Sequence, residues 1–424
     1  MTGEDEKVIN RRPAAAVLLS HPTGNQNVRN ALRSLVDHQM LAEYWTTWAW
    51  NPASRWGRFL PAAVRAQLAR RTYPEAPAGQ VRSVLSRETV RVAARFTPFE
   101  KLLCSGERPF SIIGVYRHFD RRVARRVGAL RPGIVYAYEG GALHTFREAR
   151  KRGIATIYEQ PSSYWHWARR LMTEEAGRNP QFAGLFPTLA DPPSHLAWKD
   201  EELQLADYVF VASQHVRRTL AGVVPDEKIR VVSYGAPPVR ERRPGSLDSA
   251  RPLKVLFVGW LAQHKGIGYL LDAVDTLGGQ VELTLVGERF SPNERVDEAC
   301  RRRRWFESLP HGRVLELMQE ADVLALPSLS DGFGLVVTEA LSSGLPVIVT
   351  PNVGSSDLIR DGREGFIVPI CRSDDIAARL TALHRDREML LEMSRQAQAT
   401  AARNSWAHYR AQWAGALQAV LDAR

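Results

Sequence analysis

The chain has 424 residues, 44% of them hydrophobic, enough for two to three domains with sizeable cores. Its three cysteines, Cys104, Cys300 and Cys371, are odd in number and far apart, which argues against a disulfide framework or a zinc site and for a reducing compartment. The net charge is +11, carried mostly by arginine; with no zinc-finger, RNA-recognition or basic-zipper signature, a nucleic-acid partner is disfavoured against an anionic membrane surface.

The first thirteen residues are polar and mixed in charge, and no apolar run reaches the length of a membrane span, so neither a signal peptide nor a transmembrane helix is expected. The first strand is predicted at Ala14–Ser20, followed by the loop His21–Asn27 and a helix from Val28. Ser54–Tyr73 mixes Trp56, Phe59, Leu60 and Leu68 with Arg55, Arg58, Arg65, Arg70 and Arg71. This composition suits the headgroup region of an anionic bilayer, or an amphipathic helix packed on its own domain, with Pro61 limiting its continuity. Further strands are predicted at Ile134–Tyr138, Ala155–Tyr158 and Tyr208–Ala212, with helical segments between them. Such alternation predicts a parallel sheet covered on both faces.

Gly235–Pro252, rich in proline, glycine and charge, reads as a linker. The pattern then restarts, with strands predicted at Val255–Trp260, Val281–Gly287, Val323–Pro327, Val347–Thr350 and Phe366–Val368, and a helix at Ile267–Leu277. The last helix starts after Ser405 and carries Trp406, Tyr409, Trp413, Leu417 and Leu421 on one face. The fold class is therefore α/β, two doubly wound parallel-sheet domains facing a cleft. The first spans 1–237, a linker 238–252 and the second 253–404; the helix 405–424 is expected to pack back on the first.

In open parallel sheets ligands bind beyond the carboxyl ends of the strands. Three loops there carry glycine or polar residues. In His21–Asn27, Gly24 lets a backbone approach a ligand, and the following helix N-terminus suits an anion; a plain strand-to-helix turn is the equal alternative. In Val258–Gly266, which includes Gly259, Lys265 stands just before a helix N-terminus, unfavourable to that helix unless an anion lies between them. The third stretch is S-D-G-F-G-L-V-V-T-E-A-L, 330–341. Gly332 and Gly334 bare the backbone before a helix predicted at Leu335–Ser342. If helix geometry held throughout, Asp331 and Glu339 would stand about 12 Å apart. Two carboxylates at that separation fit a sugar at Asp331, a diphosphate at the glycine amides and a ribose at Glu339.

Residues 331–350 (DGFGLVVTEALSSGLPVIVT) resemble the E-x7-E segment of the retaining family 4 glycosyltransferases, the group 1 glycosyl transferases with the GT-B fold. VGWLAQHKG (258–266) resembles their V-G-R-L-x3-K-G loop, DLIRDGREGFIVP (357–369) their D-G-x-x-G-x-L-V strand, and ADYVFVASQHV (206–216) the closing strand of their first domain. The resemblance covers about residues 206–400. It implies two Rossmann-like domains, with a nucleotide-sugar donor held by the second and an acceptor by the first. It gives Glu339 the ribose, Lys265 the diphosphate, and Gly24 an approach to the donor phosphates. Phe333 and Gly334 lie along the donor sugar, with Gly259, Gly332 and Leu335 in the same donor-binding segments. Asp331 replaces the usual glutamate and Trp260 the usual arginine. Glu139, in Tyr138–Gly141, stands where the family often has a histidine, with His144 the other candidate for that contact.

The reaction so implied is transfer of a hexose from a nucleoside diphosphate sugar to a hydroxyl, with retention, and Asp331, Lys265 and Glu139 as catalytic residues. The acceptor is a glycan, a lipid-linked or a small molecule, and the pathway one of glycan, polysaccharide or glycolipid synthesis. No D-x-D triplet occurs, so no metal and no cofactor beyond the donor is expected. The expected location is cytoplasmic, with peripheral contact at the inner membrane face. A nicotinamide oxidoreductase is disfavoured, because Leu271 stands where a G-x-G-x-x-G run needs its third glycine. A partner protein that keeps the fold and binds nucleotide sugar without turnover stays open, as does a glycogen- or sucrose-type enzyme with a soluble acceptor. The segment Pro161–Leu203, with Tyr164, Trp165, His166 and Trp167, is the expected place of acceptor recognition.

Overall fold

The computed structural model describes residues 16–51, 68–69, 71–94, 97–241, 248 and 250–423. Residues 54–67 and 70 of the basic aromatic stretch lie outside these, as do 242–247 and 249 of the expected linker. The chain divides into two compact units, one holding residues up to 159 with 197–209 and 414–424, the other 160–196 and 210–413.

A seven-stranded sheet runs in the order β3-β2-β1-β4-β5-β6-β7. Its strands are β1 Val17–Ser20, β2 Leu41–Thr46, β3 Val81–Ser83, β4 Ile134–Tyr138, β5 Ala155–Gln160, β6 Tyr208–Val211 and β7 Ile229–Val231. Every residue of β1 and β5 is buried, as expected of strands covered on both faces. The sequence does not announce β2, because LAEYWT puts a carboxylate inside the run. Glu43 is nonetheless buried: Arg126 donates to both its oxygens at 2.6 and 2.8 Å, and Trp45 Nε1 donates at 2.9 Å.

A six-stranded sheet runs in the order β10-β9-β8-β11-β12-β13. It is built from β8 Leu253–Val258, β9 Val281–Val286, β10 Arg304–Phe306, β11 Val323–Leu326, β12 Val347–Val349 and β13 Gly365–Ile367. All its pairings are parallel. Its core is one continuous cluster that includes Phe257, Leu271, Leu285, Val323, Ile348 and Leu380, all at most 3% exposed. Both sheets reverse direction of growth once, at β1/β4 and at β8/β11, which is where doubly wound sheets open a crevice at their carboxyl edge. The helices Ile267–Leu277 and Leu335–Ser342 have the bounds that the sequence predicts. The last helix, Trp406–Asp422, has Tyr409, Trp413 and Leu417 buried, while Trp406 is half-buried.

Candidate active site

The reversal point of the second sheet brings together the loops after β8 and β11. The loop after β8 ends in a 3-10 turn, Gln263–Lys265, closed by Gly266 at φ 75°. A Cβ on Gly266 would lie 2.0 Å from the Pro327 carbonyl oxygen, so only glycine lets the loops come this close. Leu329 N–H donates to the His264 carbonyl at 2.9 Å and ties them further. The outcome is an ion pair: Lys265 Nζ donates to Asp331 Oδ2 at 2.5 Å. The sequence treats these side chains as separate contacts to diphosphate and sugar; here each is the other's partner.

Burial pushes the Asp331 carboxyl up, but the charge and hydrogen bond of Lys265 outweigh it, helped by His264 and the Phe333 N–H, so its pKa lies below the ordinary value. Burial, and then the charge of Lys265, push the His264 imidazole down to about 4, so it is neutral at pH 7.

The 331–334 loop is held by its backbone. Asp331 N–H donates to Asn352 O at 2.9 Å, Gly354 N–H to Asp331 O at 2.9 Å, and Ser355 N–H to Phe333 O at 2.7 Å. A Cβ on Gly332 would meet the Pro161 carbonyl at 2.0 Å, and Ser213 Oγ donates to Gly332 O at 2.8 Å. Gly334, at φ 77°, caps the helix Leu335–Ser342, whose first turn has no side-chain cap. That leaves the helix N-terminus available to an anion. Asp331 therefore lies outside the helix, and a helical rise cannot give its distance from Glu339.

The Phe333 ring is buried and packs edge-on against Tyr234 at 5.0 Å. Glu339 is half-buried and within 3.0 Å of His311 Nε2. Burial raises its pKa, with His311 partly opposing. His311, first residue of the helix His311–Glu320 after Pro310, escaped the sequence reading, because no strand is predicted at 304–306 to place it at a strand end. Leu335 is half-buried, and Gly259 takes φ 150° at the end of β8.

The segment 160–196 belongs to the same unit. Ser163 Oγ lies 2.7 Å from Ser330 Oγ and 2.9 Å from His215 Nε2, and Trp167 packs edge-on against His215 at 5.2 Å. Burial, then Arg218, push His215 down to about 4. Tyr164, Trp165 and His166 form a ring cluster at 5.4–6.4 Å with His166 exposed. This polar chain of serines and His215 had no sequence signature, because its members are scattered over more than 160 positions.

In the first unit, Glu139 Oε1 lies 3.7 Å from Lys199 Nζ. The loop after it is clamped by Glu202, fully buried, which accepts from Gly140 N–H and Ala142 N–H at 2.7 Å and from Leu143 N–H at 3.1 Å. Tyr158 Oη and Trp198 Nε1 also donate to it, at 3.1 and 2.9 Å. Burial pushes its carboxyl up to about 8 against the pull of those N–H donors. His144 is engaged by Trp198, edge-on at 5.2 Å, and by Arg121 Nε at 3.3 Å. Gly24 is required for packing: a Cβ there would lie 2.1 Å from the Tyr73 hydroxyl. Among the described residues no three His, Cys, Asp or Glu side chains gather as a metal-binding group.

Residues 239–400 match the family model described as glycosyl transferases group 1. This segment belongs to that family. The chain is 35% identical over 199 residues to a D-inositol 3-phosphate glycosyltransferase of Nocardia farcinica, a match covering 45% of this chain and 40% of that relative's length. It superposes on Anabaena Alr3699/HepE, crystallised with UDP and glucose, at a TM-score of 0.63 and 17% identity, covering 96% of this chain and 100% of that one. Sucrose-phosphate synthase from Thermosynechococcus elongatus gives 0.66 at 16% identity, with 96% and 100% covered. The group 1 segment thus supplies the second sheet of a GT-B fold, with Lys265, Asp331 and Glu339 all inside it.

Proposed function

We propose that the chain transfers a hexose from a nucleoside diphosphate sugar to a hydroxyl acceptor with retention, without a metal. The observation that carries this is the Lys265–Asp331 pair at the reversal point of the second sheet, beside the uncapped N-terminus of Leu335–Ser342. A diphosphate arriving there would be met by the lysine and the first-turn amides, with the ribose at Glu339 and the hexose at Asp331. As the bond from the anomeric carbon to the phosphate oxygen breaks, the diphosphate gains charge, and these fixed donors stabilise it without solvent reorganisation. The carbon–acceptor bond forms on the same face, and the acceptor proton passes to the departing phosphate. Anabaena HepE was crystallised with UDP and with UDP-glucose, so uridine donors are the first to test. The test is transfer and hydrolysis across a panel of nucleotide sugars, alongside calorimetry. Tight binding with neither sugar release nor transfer would replace this reading by the second one, a nucleotide-sugar-binding partner protein, which the Trp260 replacement favours.

The acceptor is a glycan, a lipid-linked or a small-molecule hydroxyl. Among the described residues no helix is long and apolar enough to cross a membrane. Contact with a membrane surface is proposed through Ser54–Tyr73. Flotation with anionic vesicles at low salt tests it, and a protein that stays in the soluble fraction refutes it.

A further inference from the structure

Two large aromatic rings stand in the open at the carboxyl edge of the second sheet. Trp260 is 50% exposed and Phe290 37%, and the rings stack at 5.8 Å with 29° between their planes. Single exposed apolar side chains are common on protein surfaces. This pair differs because the backbone is built to hold it. β8 is followed by Gly259 at φ 150° and β9 by Gly287 at φ 144°. A Cβ on Gly287 would lie 1.9 Å from the Gly259 carbonyl oxygen, so the two strand ends approach as only glycines allow. Pairing then continues past the sheet, with Leu261 N–H donating to Glu288 O at 2.9 Å and a parallel bridge between Leu261 and Arg289. Beside this bridge the Trp260 and Phe290 rings meet. Arg289, the residue before Phe290, is turned to Trp305, 5.1 Å from the ring centroid, and to Asp297 at 2.7 Å.

The loop that begins with Trp260 ends with Lys265, on Asp331. One short loop therefore carries a wide apolar face at its start and a cation at its end. We propose that Trp260 and Phe290 form a stacking platform for the C–H face of a pyranose ring. The proposal rests on the nucleotide-sugar reading above. A pyranose fits because it offers an apolar face to the rings and keeps hydroxyls at its rim for polar groups. The ring could be the donor's hexose or a sugar of the acceptor; the chemistry of the platform is the same.

The experiment compares wild type with Trp260→Ala, Phe290→Ala and Trp260→Phe. The probes are UDP, UDP-glucose, UDP-galactose and a free methyl glycoside, followed by calorimetry and by saturation-transfer NMR on the pyranose protons. Trp260→Ala is expected to weaken the UDP-hexose about tenfold and to change UDP by less than about twofold, with Trp260→Phe recovering most of the loss. Loss of saturation transfer to the free glycoside alone assigns the platform to the acceptor's sugar. Equal weakening of UDP and UDP-hexose would overturn the proposal, since the rings would then hold the nucleotide. Unchanged binding of every sugar probe would also overturn it. If wild type binds neither UDP nor any UDP-hexose, the proposed function fails, and the glycoside arm still decides the platform.

Discussion

Replacing Asp331 by Asn should destabilise the empty protein and yet tighten its grip on a bare diphosphate. The two side chains are only 20% and 15% exposed. Exposed pairs contribute about 0–1 kcal/mol, and breaking a fully buried one costs about 3–5 kcal/mol. The expected loss lies between, at about 1.5–3 kcal/mol, the range of a charge-assisted hydrogen bond. For a unit of about 150–250 residues this lowers Tm by about 3–12 °C. UDP must win Lys265 away from Asp331 in the wild type, whereas in the variant the lysine awaits a counter-ion. UDP should therefore bind Asp331→Asn more tightly, by up to about tenfold, and restore part of the lost Tm through linkage. Transfer should fall. The sign of the pH effect follows from the depressed Asp331 carboxyl. Its contribution is present above the unfolded value of about 3.9 and lost as pH falls through the lower folded value. The variant should lack that portion of the acid loss. Melts from pH 2 to 7 with and without UDP, plus calorimetry, decide it. A variant with wild-type stability and weaker UDP binding would refute the reasoning.

Much of the fold was legible because the strands are short apolar runs bounded by glycine, and buried parallel strands leave that trace. β2 was not, since its Glu43 is neutralised by Arg126, far away in the chain, and no local pattern shows a distant partner. In the site, Lys265, Asp331 and Glu339 stand out by type and spacing. What the spacing could not give was their pairing. The Lys265–Asp331 contact depends on how two loops abut through Gly266, and the Glu339–His311 contact on where β10 ends. The contact of Phe333 with Tyr234, far away in the chain, left no local trace either. Glu202 was invisible for a related reason. A glutamate in the helix Pro193–Leu205 reads as a solvated face, while its five donors come from the 140–143 loop, Tyr158 and Trp198.

Four further substitutions follow from the same geometry. Glu339→Ala should weaken donor binding by about 1–3 kcal/mol, read by calorimetry, and His311→Ala by less, because it removes only the orienting partner. Glu202→Ala leaves three buried N–H groups of the 140–143 loop without their acceptor, at about 1–3 kcal/mol each before relaxation; urea melts should show a loss of at least about 2 kcal/mol, with faster hydrogen exchange in that loop. The last is Gly266→Ala. At φ 75° an alanine is strained, and its Cβ would press on a backbone oxygen that cannot rotate away. Strain of this kind costs about 1–3 kcal/mol, and the collision adds to it unless the loops part. Parting them moves Lys265 from Asp331, so the variant should lose transfer activity out of proportion to its stability. At a temperature well below its Tm it should show a low kcat and a weakened response of Tm to UDP. Were Gly266→Ala destabilised but fully active at that temperature, the close approach of the two loops would serve packing alone, and the ion pair would not depend on it.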